Sequence, residues 1–174
     1  MPNWKGFSSM HSISKKEINS KSFDKVLSYV DTLSKLGKRH YSILEEIYKI
    51  TGINDVLIEL LSLYSFIEGF WYNHNGKSTI SKSIEAMLKD YVPNKEEKFI
   101  RESAKAKIKS QNELFNESNI DGMRHILAHG MYKYKEDNWS ENQWAAIYEQ
   151  RNLLIELVID SLINRLKSEN QLFS

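Results

Sequence analysis

Cysteine is absent from the 174 residues, which excludes disulfides and thiolate metal sites and leaves the redox compartment open. Proline is scarce, at 2 residues, and glycine stands at 7, so little interrupts a helix. No run alternates with the period of a strand, and no internal repeat is visible. Nor does one sign of charge dominate: 24 Lys and Arg face 23 Asp and Glu, a formal net charge of +1. Without an overall basic field, any contact with nucleic acid has to rely on local clustering of cations. The longest apolar run, Ile53 to Trp71, is broken by Asn54, Asp55, Glu59 and Glu68, each costly at a bilayer centre, and so reads as no membrane span. The first residues, Met-Pro-Asn-Trp-Lys-Gly-Phe, lack the continuous apolar segment of a secretory signal. A soluble, cytoplasmic protein is expected.

What is present is enough apolar material, 41% of residues, for one sizeable core. Residues 1–19 mix Trp4, Phe7 and Met10 with polar residues and read as an N-terminal arm, docked on the bundle, docked on a second chain, or a free tail. Residues 20–174 read as a single helical domain. Phe23, Val26, Leu27, Val30 and Leu33 recur at helical spacing, with Gly37 as the stop. Ile43, Leu44, Ile47 and Tyr48 mark a second helix, ended by Gly52 in a left-handed turn. A third is capped by Asn54 or Asp55 and runs to about Tyr72. Its apolar face is so wide that it belongs at the centre of a bundle. Glu68 on that helix needs a cation or donors if buried, and Arg124 is a candidate partner; a partly exposed, purely structural glutamate is the alternative.

Ser78 or Ser81 caps a short helix through Tyr91, stopped by Pro93, and Asn94 caps the next, which carries Ile100, Ala104, Ile108, Gln111 and Phe115. On that helix Arg101, Lys105, Lys107 and Lys109 can follow a phosphate backbone or simply form a solvated face. Ser140-Glu-Asn-Gln143 has the form of a capping box before a long helix whose apolar positions run from Trp144 and Ile147 through Tyr148 to Leu166. The expected fold is an all-α bundle of about six to seven helices.

The chemistry concentrates in Asp121 to Tyr132, Asp-Gly-Met-Arg-His-Ile-Leu-Ala-His-Gly-Met-Tyr, read as a short helix with Asp121 as its N-cap. Arg124, in the first turn, offers a permanently charged fork that matches phosphate oxygens and the added charge of a pentacoordinate transition state. His129 is suited to proton transfer, because an unperturbed imidazole titrates near ~6.5. The two lie roughly 140° apart around a helix axis, so one helix makes an incomplete site and a two-fold pair a more complete one. Gly130 permits close approach at such a seam or serves as a C-cap.

Arg124, the polar His125, three further residues and His129 resemble the motif of HEPN domains. The resemblance implies a helical bundle in which two chains pair around one cleft. Active members are metal-independent ribonucleases, mostly of toxin–antitoxin, abortive-infection and other defence systems; other members only bind or scaffold. By that likeness Arg124, His129 and His125 are the catalytic residues, no cofactor is needed, and the partners are a second copy, RNA, and a cognate antitoxin or larger defence complex. Many members carry a tyrosine two residues past the histidine, where this chain has Met131, and Tyr132 follows one later. Glu68, Asp121, Gly130 and Tyr132 are candidates for supporting or substrate-binding roles.

Two rival readings use the same residues. His125 and His129 share a helix face as a zinc pair would, but Ile126 stands where a His-Glu-x-x-His motif needs its glutamate, and no third ligand is evident. Alternatively, the chain is a non-catalytic binding or dimerisation module, an antitoxin or regulatory partner, with Arg124 paired structurally to Glu68 or Asp121.

Overall fold

The computed structural model describes residues 38–72, 79–94, 97–129 and 139–171, all within the compact unit Leu36–Ser174. The arm at 1–19 and the helix expected over 22–37 lie outside the described residues. Those described form six helices and no strand: α1 Lys38–Thr51, α2 Val56–Phe70, α3 Ile80–Tyr91, α4 Lys98–Glu113, α5 Gly122–Ala128 and α6 Glu141–Gln171. No helix among them is long and apolar enough to cross a membrane.

α2 is the central element, as its broad apolar face requires, and it touches α1, α3, α5 and α6. Asp55 starts it, its Oδ1 accepting from the N–H groups of Leu57 at 2.9 Å and Ile58 at 3.2 Å. Leu57, Leu60, Leu63, Tyr64, Phe66 and Ile67 are all buried. The 31-residue α6, about 46 Å long at 1.5 Å per residue, packs on α2, α3 and α4. Ser140 and Gln143 form the expected capping box, Ser140 N–H donating to Gln143 Oε1 at 2.9 Å and Gln143 N–H to Ser140 Oγ at 3.3 Å. Gln143 Nε2 also donates to Leu114 O at 3.1 Å, so the same residue ties α6 to the end of α4.

Several local expectations are corrected. Tyr48 and Tyr148 are 79% and 54% exposed, because each lies at the margin of an apolar arc that Ile47 and Ile147 already fill. Gly52 is not left-handed; its N–H bonds Tyr48 O and Lys49 O, and the chain leaves α1 through one further turn. Thr79 caps α3, placing Ser81 inside the helix, while Ser78 lies outside the described residues. The described α4 begins after Glu97, which makes no side-chain cap bond; Asn94 O accepts from Glu97 N–H at 3.3 Å. Among the described non-glycine residues, Asn116 is left-handed, at φ 61°. It ends α4 in a tight return with Glu117 N–H bonded to Asn112 O at 3.2 Å.

Candidate active site

α5 holds the motif. Its residues Met123, Ile126 and Leu127 are buried, a three-and-four spacing that packs one side of this seven-residue helix against α2 and α4. Gly122 opens it against the return from α4: a Cβ there would lie 2.4 Å from Glu117 Cβ and 3.4 Å from Asn112 Cβ. Asn112, fully buried, donates from Nδ2 to Asn119 O at 2.7 Å and so fixes the loop that delivers α5. Asp121 precedes the helix, yet its side chain makes no capping bond. Its φ of −104° and ψ of 11° are not the extended values of a side-chain cap, and only its carbonyl serves the helix, accepting from His125 N–H at 3.0 Å. The N-cap expected of Asp121 is therefore not formed.

Burying that arc leaves Arg124 at its margin and His125 and His129 on the open side. Arg124 Nη2 donates to Glu68 Oε2 of α2 at 3.2 Å, and the two side chains are 33% and 37% exposed. The carboxylate thus holds one prong of the guanidinium, while the pair stays accessible to solvent. The rings of His125 and His129 meet edge to face, centroids 4.4 Å apart and inclined by 61°. Both residues are exposed. His129 is the residue that ends α5, its N–H bonded to His125 O at 3.2 Å. The site residues therefore fall into two couples on one short helix, Arg124 with Glu68 and His125 with His129. Gly130 and Tyr132 lie outside the described residues. Among the described residues no group of three His, Asp or Glu gathers as a metal site.

Three polar links of the interior were not singled out from the sequence. Glu59, 3% exposed, receives Arg151 Nη2 at 2.7 Å. Gln150 Nε2 donates to the hydroxyl of the fully buried Tyr64; burial pushes that phenol well above its ordinary range, with the Asp121 carboxylate adding to the rise and the Gln150 bond opposing it. Trp71 Nε1 donates to Asp90 Oδ2 at 2.7 Å, which Arg165 approaches to 3.7 Å while lying 5.1 Å over the Phe70 ring. The signal for the first was available: a glutamate on the most apolar helix, the same signal that drew attention to Glu68.

No family model, no curated protein and no solved structure matches this chain.

Proposed function

We propose that the chain is a HEPN-like, metal-independent endoribonuclease that works as a two-fold homodimer. The observation that carries this reading is the presentation of α5. Three apolar residues anchor the helix, and its accessible side presents a tethered arginine and two touching imidazoles beside the small Ala128. In the reaction, the 2′-oxygen of a ribose bonds to the adjacent phosphorus as His129 takes its proton, and the bond from phosphorus to the 5′-oxygen breaks. An imidazolium of the site returns a proton to that oxygen, leaving a 2′,3′-cyclic phosphate and a 5′-hydroxyl. Arg124 binds the phosphate and stabilises the added negative charge, with Glu68 as the positioning residue that sets the fork. His125 is the secondary participant, packed on His129. The exposed side of α5 is where a second copy would pair, bringing arginine and histidine from both chains to one cleft. The setting that suits this activity is a cytoplasmic toxin or abortive-infection effector restrained by an antitoxin or a larger defence complex.

One observation favours the second reading, a non-catalytic binding module of an antitoxin or regulatory kind: Arg124 already has a carboxylate partner. The test is the nucleophile. With purified protein in EDTA, a single-stranded RNA should be cut to cyclic-phosphate ends, and one 2′-deoxy substitution at a mapped cleavage position should abolish cutting there. Cutting that survives the substitution, or that chelation stops, rules out this mechanism; no cutting at all favours the binding module.

A further inference from the structure

α4 carries a row of cations that leads to the motif helix. Lys98, Arg101, Lys105 and Lys109 succeed one another at spacings of three and four residues, so they share one edge of the helix. Across a shallow groove stand Glu85, Leu88 and Lys89 of α3, and Lys105 Nζ reaches Glu85 Oε1 at 2.8 Å. Lys107 does not belong to this row; it lines a different groove, with Phe99, Ser103 and Glu156. The next position of the row after Lys109 is Asn112, the residue that bonds Asn119 O and against which Gly122, the first residue of α5, is packed. The row therefore ends where the helix of Arg124 begins. From Lys98 to Asn112 it rises about 21 Å, long enough for several phosphates of an extended strand.

We propose that this edge of α4, through Lys98, Arg101, Lys105 and Lys109, is the track along which the phosphate backbone of a single-stranded RNA runs to Arg124. The identity of the ligand rests on the ribonuclease reading above. Charge favours a polyanion: with Lys89 the strip holds five cations against Glu85, Glu102 and Glu113, on a chain whose net charge is only +1. The strip favours a nucleic-acid strand over an acidic protein, because among the described residues Leu88 is the sole apolar one lining the groove and is itself buried. A protein partner draws most of its affinity from apolar and aromatic anchors seated in pockets. The Arg101 fork and the lysine ammonium groups suit phosphate oxygens at any sequence, so the track adds affinity without base preference.

The test compares the full chain with the triple variant Lys98→Ala/Arg101→Ala/Lys109→Ala, which keeps the Lys105–Glu85 contact, and with Lys107→Ala as a control on another face. Binding of a fluorescein-labelled, single-stranded RNA of about 12 nucleotides is followed by anisotropy across a salt series. Removing three phosphate contacts should lower the magnitude of the slope of log K against log salt by about 2. KM for the same RNA should rise with kcat retained, while a trinucleotide is cut at the parent rate; Lys107→Ala should match the parent. An unchanged slope and KM in a parent that cuts RNA overturn the track alone. A parent that cuts nothing yet loses RNA affinity in the triple variant keeps the track and sinks the nuclease. A parent that does not bind RNA, or that binds a poly-glutamate of equal charge as tightly through the same residues, overturns the RNA assignment.

Discussion

At the scale of single residues, Arg124 separates chemistry from architecture. Its ion pair with Glu68 is partly exposed on both sides, a setting in which such pairs contribute about 0–1 kcal/mol. Arg124→Ala should therefore shift the thermal midpoint by no more than a few degrees while lowering RNA cleavage roughly 10²- to 10³-fold. A large loss of stability, read by circular dichroism, would mark the arginine as structural. Gly122 behaves in the opposite way. A methyl group there meets Glu117 Cβ at 2.4 Å, so Gly122→Ala should cost about 1–3 kcal/mol in chemical denaturation, and an unaffected midpoint would contradict the packing. Tyr64 gives a pH dependence. Burial raises its phenol in the folded chain, so the folded state keeps a proton that the unfolded chain loses above about pH 10. The stability tied to it is intact below that pH and falls as pH rises further, by at most about 1.4 kcal/mol per unit. Melts between pH 9 and 11 should show a shallower decline for Tyr64→Phe than for the parent, and parallel curves would refute the burial.

At the scale of elements, the boundaries written in local chemistry were legible and those decided by neighbours were not. Asp55 and the Ser140–Gln143 box act within one turn of their own backbone, and both cap as their spacing requires. Pro93 stops α3 at Tyr91 because it cannot continue the helix. In contrast, Tyr148 has the right spacing for the apolar face of α6, yet its exposure depends on how far that helix is covered by others. Asp121 has a good capping residue type, but the return through Asn116 and the packing of Gly122 set its backbone outside the capping conformation. The meeting of Arg124 with Glu68 could be anticipated because a carboxylate on an apolar helix asks for a cation. Glu59 made the same demand, and only the register of α6 against α2 shows that Arg151 answers it. That register has a measurable consequence. Arg151→Ala strands a nearly fully buried carboxylate and should cost about 3–5 kcal/mol; a loss below about 1 kcal/mol would show that water or another group meets Glu59 instead.

At the scale of the whole molecule, the all-α architecture follows from the scarcity of breakers and from helical periodicity, and the structure has it throughout the described residues. The pairing of two copies around α5 is a proposal with its own test. If one cleft takes arginine from one chain and histidine from the other, mixing the Arg124→Ala and His129→Ala proteins should raise cleavage above either alone, to about a quarter of the parent when subunits exchange at random. No recovery would place both residues in one chain. The proton transfer proposed for His129 belongs to an exposed side chain at the end of α5, whose loss leaves the buried Met123, Ile126 and Leu127 untouched. The most direct measurement is the single-turnover rate of RNA cleavage in EDTA by the parent and by His129→Ala, with melting curves of both. The melts should match and the variant's rate should fall roughly 10²- to 10⁴-fold; a variant that cuts at the parent rate would contradict proton transfer by His129.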